Sequence, residues 1–148
     1  MRRAAPSDAS AVASLLHDFN VEFATPTPGV EVLAERLGRL LDGEDVVALL
    51  APEPPAAVAL MTFRPNVWYG GPVALLDELY VRPDLRGRGI GSGLLTRACA
   101  LARDRGAELM EINVDGGDVD ARRFYERHGF SSTEPGGRDH MLYYEREL

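Results

Sequence analysis

The 148-residue chain contains one cysteine, Cys99, and no run of eighteen consecutive apolar residues. A single cysteine cannot form an internal disulfide, which agrees with a reducing compartment. The missing apolar run excludes a membrane-spanning helix, and the N-terminal MRRAAPSDAS lacks the apolar segment of a signal peptide. These absences predict a cytoplasmic protein without a membrane partner.

Basic residues are fewer than acidic ones. The chain has 16 Lys and Arg against 23 Asp and Glu, which gives a formal net charge of -7. Nucleic-acid binding draws on clustered Lys and Arg that displace counterions from phosphates. The acidic balance therefore argues against a nucleic-acid partner and weakly favours cationic small molecules. His17, His128 and His140 lack the spacing of a metal site, so we predict no metal.

The residues that are present describe an ordinary globular domain, with 45% hydrophobic and 26% charged residues. We expect a single domain over residues 1–148. Apolar residues at helical spacing predict two amphipathic helices, the first from Asp8 to near Asn20 and the second ending near Gly43. The proline-bearing segment TPTPG, residues 25–29, interrupts them.

Three short β-prone runs follow from residue 46, namely VVALLA, AAVALMTF and PVALLDELYV. The turns PEPP and NVWYGG separate them, which predicts a three-stranded antiparallel meander. Next come a helix ending at Arg105, a strand at 108–114, a short helix ending near His128 and a terminal hairpin. The strand, helix, strand passage implies a right-handed crossover and one parallel pair.

The segment PDLRGRGIGSGLL, residues 83–95, joins an expected strand to an expected helix. Backbone N–H groups at a helix N-terminus favour anions, and glycine permits unusual φ values and close approach of a phosphate. Arg86 and Arg88 add full positive charges. The segment therefore predicts a diphosphate site, although its spacing alone fits a simple connector equally well. The glycines concerned are Gly87, Gly89 and Gly91.

Two other phosphate-binding loops fit this segment poorly. A P-loop requires Lys followed by Ser or Thr after its last glycine, and the segment has no such pair. A dinucleotide-binding loop requires G-x-G-x-x-G after the first strand, whereas Gly87 and Gly89 are followed by Ser92 at the third position. A nucleotide-binding domain of another fold is therefore the weaker alternative.

The segment LDELYVRPDLRGRGIGSGLL, in which RGRGIG matches R/Q-x-x-G-x-G/A, resembles the coenzyme A loop of the GNAT superfamily of N-acetyltransferases. A later segment, DVDARRFYERHGF, resembles the family's late helix, N-x-x-A-x-x-x-Y-E-x-x-G-F. The resemblance implies a GNAT-like α/β (α+β) fold with a mixed, mostly antiparallel sheet of about six to seven strands and about four helices. Splayed parallel strands would form its cofactor cleft, and acetyl-CoA would be the co-substrate.

The resemblance also assigns cofactor contacts. Backbone groups of Leu79, Tyr80 and Val81 would pair with the pantetheine arm, where the parallel strands splay after residues 81 and 114. Asp118 stands where the family usually has asparagine, and an ionised carboxylate accepts hydrogen bonds but cannot donate them. The pyrophosphate would be wrapped by Arg86, Gly87, Arg88, Gly89, Ile90, Gly91 and Ser92.

The same resemblance places Tyr125 beside the thioester sulfur, as a cofactor contact and as the proton donor to the departing thiolate. The attacking amine must lose a proton, and the candidate bases are Asp77 and Glu78, on the strand that leads into the loop. Because strand side chains alternate, we expect only one of the pair to face the cleft, and we favour Glu78. The structural alternatives are packing for the tyrosine, and a solvated acidic pair or partners of Arg86 for the carboxylates.

The acceptor pocket of this family is usually built by the first two helices, their connecting loop and the strands opposite the cofactor. An acidic residue among aromatics would hold a cationic amine, although the aromatics would equally serve loop packing or a homodimer contact. We predict an N-acetyltransferase that transfers the acetyl group to a primary amine in a ternary complex, with a non-catalytic acyl-CoA-binding module as the alternative. The candidate acceptor residues are Phe19, Glu22, Phe23, Trp68, Tyr69 and Glu78.

Overall fold

A computed structural model describes residues 1–147 of the chain. Within them the helices are α1 (Ala9–Glu22), α2 (Val30–Leu41), α3 (Ile90–Asp104) and α4 (Val119–Arg127). The strands are β1 (Arg2–Arg3), β2 (Val46–Ala51), β3 (Ala57–Arg64), β4 (Val73–Val81) and β5 (Leu109–Ile112). The chain forms two compact units, Met1–Ile112 and Asn113–Leu148.

The strands of the first unit form one sheet in the order β1-β2-β3-β4-β5. Strands β1 to β4 pair antiparallel, and β4 pairs parallel with β5 after the α3 crossover. This confirms the predicted meander, the parallel pair and the mixed, mostly antiparallel fold class. The part of the chain that the structure describes contains five strands, fewer than the expected six to seven, and the short edge strand β1 was not predicted.

Helices cover both faces of the sheet, and β2 is therefore buried along its whole length. Alternate residues of β2 pack with α1 and α2 in one apolar cluster that includes Val12, Leu16, Val46, Ala48 and Leu50. Helix α3 lies against β2, β3 and β4 and buries Leu94, Leu95, Ala98 and Ala102. No helix in residues 1–147 is long and apolar enough to cross a membrane.

Helix α1 continues to Glu22, two residues beyond the predicted end at Asn20. The following loop folds back on the helix, because the backbone N–H of Thr25 donates to the Asn20 carbonyl at 2.8 Å. The Asn20 side chain donates in turn to the Pro26 carbonyl at 2.8 Å. The extra turn makes Glu22 part of a helix surface rather than of a loop.

The second unit contains α4 and the C-terminal segment. Helix α4 ends before Gly129, whose φ of 86° agrees with the predicted glycine cap. The predicted terminal hairpin is reduced to an isolated antiparallel bridge between Thr133 and His140. The side chains of residues 141–144 are exposed, and a two-stranded hairpin without a buried face is marginally stable in water.

Candidate active site

Strand β4 extends past the strand beside it. Its parallel pairing with β5 ends at Leu76 opposite Ile112, whereas its pairing with β3 continues to Val81 opposite Ala57. Residues 77–81 consequently have a strand partner on one edge only, among the residues described. Such an edge offers backbone N–H and C=O groups to an extended ligand. The pairing ends before the expected splay at residues 81 and 114.

A β-bulge lies where the two strands separate. Leu60 pairs with Glu78 and the adjacent Met61 pairs with Leu76, so Asp77 is an extra residue in β4. A bulge bends its strand and interrupts the alternation of side chains. The bend coincides with the end of the β5 pairing and explains why the parallel strands separate here.

The bulge turns both carboxylates towards the face that α1 and α2 cover. Leu60 packs against the core of that face and lies opposite Glu78. Thr62 lies opposite the core residue Val46, and its hydroxyl donates a long hydrogen bond of 3.4 Å to Asp77. The expectation that alternation would send only one carboxylate to the cleft is wrong, because the bulge breaks the alternation.

Glu78 differs from Asp77 in its surroundings. Its side chain is half-buried, whereas Asp77 is more exposed, although partial burial raises the pKa of the Asp77 carboxyl too. Burial and, to a smaller extent, the neighbouring charge of Asp77 raise the pKa of Glu78 to about 7. A carboxyl group with this pKa exchanges a proton readily near neutral pH, which is what general-base catalysis requires.

The loop after β4 depends on two glycines in left-handed conformation. The φ angles are 72° at Gly87 and 78° at Gly89, a region that residues with a Cβ adopt only with strain. Nothing lies within 4 Å of where a Cβ would stand at either position. Gly91 differs from the expectation, since it is a helical residue of α3 and needs no unusual φ.

The N-terminus of α3 presents unbonded donors. The first helical hydrogen bond runs from the Gly93 N–H to the Gly89 carbonyl at 2.9 Å. The N–H groups of Ile90, Gly91 and Ser92 precede it and therefore have no carbonyl partner within the helix. Together with the helix dipole, they make this end of α3 suitable for an anion.

The two arginines of the loop have different partners. The Arg86 guanidinium donates to both carboxylate oxygens of Glu22 at 2.7 and 2.8 Å, and its Nε donates to the Val81 carbonyl at 2.8 Å. The Tyr80 hydroxyl donates to the same carboxylate at 3.2 Å. Arg88 makes no side-chain hydrogen bond or ion pair with residues 1–147. Arg86 is thus paired with Glu22 and not with the carboxylates of β4.

Three of the predicted acceptor residues meet at the end of α1. Phe19 stacks on Tyr80 with ring centroids 5.3 Å apart, and Phe23 packs edge-on against Phe19 at 5.1 Å. Tyr80 belongs to the core of the α1 and α2 face and follows Glu78 by two residues. Phe19, Glu22 and Phe23 therefore gather on the face that carries the two carboxylates.

Trp68 and Tyr69 lie elsewhere. They belong to the turn between β3 and β4, before Val73, and the nine-residue strand β4 separates them from the glycine loop by about 27 Å. The Asn66 side chain orders this turn by accepting hydrogen bonds from both backbone N–H groups at 2.8 Å. The structure does not bring these aromatics together with Phe19, Glu22 and Phe23.

The second unit contains the remaining candidate residues. Tyr125 on α4 packs edge-on against Phe124 at 5.1 Å and Phe130 at 5.8 Å between ring centroids. Asp118 caps α4, since its carboxylate accepts the Ala121 N–H at 2.9 Å. Asn and Asp are equally good caps, which explains how this chain tolerates aspartate there. The described residues contain no group of three or more His, Cys, Asp or Glu side chains that could hold a metal ion.

The sheet thus opens beside a glycine loop and beside the N-terminus of α3, which favours an anion. This arrangement agrees with the fold that the resemblance to the N-acetyltransferases implies. The model of the acetyltransferase (GNAT) family matches residues 12–130. The chain belongs to this family, as the sequence resemblance indicated.

Known proteins of similar sequence or structure carry acetyltransferase assignments. One is a protein from Arthrobacter sp. FB24, whose crystal structure superimposes on this chain with a TM-score of 0.94. Its sequence is 65% identical, and the match covers 99% of this chain and 94% of the Arthrobacter chain. The aminoglycoside N(6')-acetyltransferase type 1 of Stenotrophomonas maltophilia is 30% identical over 90% of this chain and 87% of its own. The aminoalkylphosphonate N-acetyltransferase of Salmonella typhimurium is 45% identical over 39% of this chain and 38% of its own.

Several matches are partial. The chain spans between 23% and 44% of the length of four curated relatives, one of which is the Salmonella typhimurium protein. Their shared segments are 58 to 69 residues long. The family assignment therefore depends on the longer matches and on the fold.

Proposed function

We propose that the protein is an acetyl-CoA-dependent N-acetyltransferase that acts on a primary amine of a small molecule or peptide. The observation that carries the proposal is the opening of the sheet at the Asp77 bulge, directly before the left-handed glycine loop. Relatives named for their substrates act on an aminoglycoside and on an aminoalkylphosphonate, which supports a small amine as the acceptor.

The loop and the exposed strand edge supply what the coenzyme requires. Backbone N–H groups of Gly87 to Ser92 and the unpaired Arg88 would hold the pyrophosphate, and the open space above Gly87 and Gly89 accommodates it. The edge of β4 at Leu79, Tyr80 and Val81, which no strand within the described residues covers, would bind the pantetheine amides through the backbone groups that Arg86 leaves free. When bound, the co-substrate supplies the acetyl group as a thioester.

The carboxylate pair accounts for deprotonation of the acceptor. An amine is protonated at neutral pH and attacks a carbonyl only after it loses that proton. Glu78 accepts it, directly or through a water, because its pKa of about 7 leaves much of it ionised at the working pH. Asp77 contributes the neighbouring charge that helps to raise this pKa. Positioning of the two substrates supplies much of the remaining rate.

Tyr125 is the proposed proton donor to the departing thiolate. A Tyr125→Phe protein keeps the ring and its packing against Phe124 and Phe130 but loses the hydroxyl. We expect normal acetyl-CoA binding by calorimetry and turnover reduced by about 10²-fold or more, the usual size of an acid–base contribution. Unchanged turnover would remove the tyrosine from the mechanism.

Direct measurement of binding and turnover tests the proposal. Calorimetry with coenzyme A, followed by detection of free thiol over a panel of aminoglycosides, aminoalkylphosphonates and peptides, distinguishes the possibilities. All 16 basic residues are arginines, so any acetyl-lysine that forms belongs to an added substrate. Binding without turnover on any amine would favour the non-catalytic acyl-CoA-binding module. Stabilisation by ATP or NAD and not by coenzyme A would contradict both.

A further inference from the structure

The ion pair between α1 and the glycine loop joins a predicted acceptor residue to a predicted cofactor residue. We propose that Glu22 is a positioning residue for the coenzyme A loop, acting through Arg86, and that it does not bind the acceptor amine. The inference deepens the proposed function and rests on it. It also leaves Arg88 as the loop arginine whose charge is available to the pyrophosphate.

The geometry of Arg86 supports this role. Two of its N–H groups contact the two oxygens of Glu22 at 2.7 and 2.8 Å, a bidentate arrangement that fixes orientation as well as distance. A third N–H group contacts the Val81 carbonyl at 2.8 Å. The guanidinium therefore ties the last turn of α1, the last residue of β4 and the start of the loop to one another.

The surroundings of Glu22 limit its use elsewhere. Its side chain is 28% exposed, and the Tyr80 hydroxyl occupies one of the two oxygens that Arg86 contacts. Tyr80 is 4% exposed and stacks on Phe19, so its hydroxyl is held in place by the core. An acceptor ammonium would have to compete for a carboxylate that already accepts three hydrogen bonds, two from Arg86 and one from Tyr80.

The charges lead to the same conclusion. The Arg86 guanidinium is the main cause that lowers the pKa of Glu22, so this carboxyl group is ionised throughout the neutral range. A paired guanidinium presents little net charge to a pyrophosphate, whereas Arg88 has no paired carboxylate among the described residues. We therefore assign Arg86 to the shape of the loop and Arg88 to the charge at the site.

A neighbouring ion pair supplies a matched control. Asp18 lies one helical turn before Glu22, and Arg82 lies four residues before Arg86. Their side chains are 3.1 Å apart, so this pair also joins α1 to the chain that leaves β4. It lacks the bidentate geometry and the contact with the β4 carbonyl. Its removal should alter the general attachment of α1 without altering the loop.

The test compares Glu22→Gln with Asp18→Asn. Steady-state kinetics would be measured with acetyl-CoA and with S-acetylpantetheine, which lacks the nucleotide diphosphate, and calorimetry would give the affinity for coenzyme A. For Glu22→Gln we expect the KM for acetyl-CoA and the Kd for coenzyme A to rise by about five- to tenfold, the loss of one partly exposed bidentate pair. The KM values for S-acetylpantetheine and for the acceptor should stay unchanged. Asp18→Asn should change none of these values.

Arg86→Lys sharpens the test, because lysine keeps the charge but cannot form the fork. If Arg86 shapes the loop, Arg86→Lys lowers the affinity for coenzyme A as much as Glu22→Gln does. The double variant then binds coenzyme A no more weakly than either single variant. An Arg86→Lys protein with wild-type affinity would contradict the inference, since charge alone would then suffice.

The other outcomes each overturn a specific statement. Tighter binding of coenzyme A by Glu22→Gln would mean that the carboxylate competes with the pyrophosphate for Arg86, and a raised acceptor KM alone would return Glu22 to the acceptor site. If the wild-type protein binds coenzyme A and the Glu22→Gln protein binds it equally well, the inference fails and the proposed function stands. If the wild-type protein does not bind coenzyme A, both fail.

Discussion

Both ends of β4 have aromatic residues nearby, but only at one end is an aromatic side chain held by its neighbours. At the loop end, beside the glycine loop, Tyr80 is 4% exposed, stacks on Phe19 and bonds to Glu22. At the turn end, before Val73, Trp68 is 86% exposed and only its backbone is bonded to Asn66. The two ends therefore differ in how firmly their aromatic side chains are held, and the acceptor role of Trp68 stays a prediction.

Both ends carry charged side chains, but those at the turn end already have partners, since Glu108 accepts the Gly70 N–H and Glu111 pairs with Arg64. The loop end has two carboxylates at the bulge, the Glu22 and Arg86 pair, and the open donors of α3. The turn end is closed by contacts of backbone with backbone, since Gly71 lies directly against the Gly106 carbonyl. We infer that chemistry belongs to the loop end and that the turn end serves the fold.

The largest difference between the ends should appear on removal of the proposed base. Glu78→Gln keeps the shape of the side chain but cannot take up a proton, so we expect turnover to fall by about 10²- to 10⁴-fold. Affinity for coenzyme A should be nearly unchanged. Acetylation assays with a saturating amine would measure the loss, and turnover within tenfold of the wild type would assign the base to Asp77 or to water.

A second contrast uses one glycine at each end. Gly89→Ala forces a Cβ into a φ of 78°, so we expect distortion of the loop and an affinity for coenzyme A that is about tenfold weaker. Gly71→Ala would place a Cβ against the Gly106 carbonyl, so we expect a lower melting temperature. Calorimetry and thermal unfolding separate the two effects, and a Gly71→Ala protein of normal stability would contradict the closed turn end.

The pKa of Glu78 predicts a dependence of stability on pH. Its folded value of about 7 lies above the ordinary 4.5, so the folded state binds the proton more tightly than the unfolded state. The contribution of Glu78 to the free energy of unfolding is therefore constant below pH 4.5, falls as the pH rises to 7, and stays low above pH 7. The total loss is about 2 kcal/mol for a pKa shift of this size in a half-buried group.

Thermal unfolding across this pH range measures the effect. Glu78→Gln should be more stable than the wild type at pH 8 and equally stable at pH 4, because the amide has no charge to bury. The exposed Asp77→Asn protein is the control and should raise stability at pH 8 by less. A pH-independent difference between Glu78→Gln and the wild type would contradict the raised pKa.

The smallest effect should follow substitution of Trp68. Its side chain is 86% exposed, and its ring packs on no aromatic ring or cation within residues 1–147, so Trp68→Ala should change the free energy of unfolding by less than about 0.5 kcal/mol. The acceptor KM should change less than twofold. A large rise in that KM would place the acceptor at the turn end and reverse the comparison.

The sequence alone predicted the elements whose causes are local. Periodic apolar residues produced α1, α2, α3 and the meander, and the glycines at 87, 89, 106 and 129 marked turns and helix ends, where the structure has positive φ values. The proposed coenzyme A loop was recognisable for the same reason, because the function proposed for it depends on backbone conformation and on adjacent residues. The roles of Tyr125 and Asp118 remain predictions from the family pattern.

The tertiary structure decided what depends on pairing between distant residues. The bulge at Asp77 exists only in the register of β4 against β3, and it places both carboxylates on one face. Glu22 pairs with Arg86 across 64 residues of sequence, and neither local segment contains a pattern that predicts this pair. Trp68 and Glu22 look alike as acceptor candidates in sequence, but the length of β4 separates them. Local spacing therefore determined which elements form, and strand register and helix packing determined which side chains share a site.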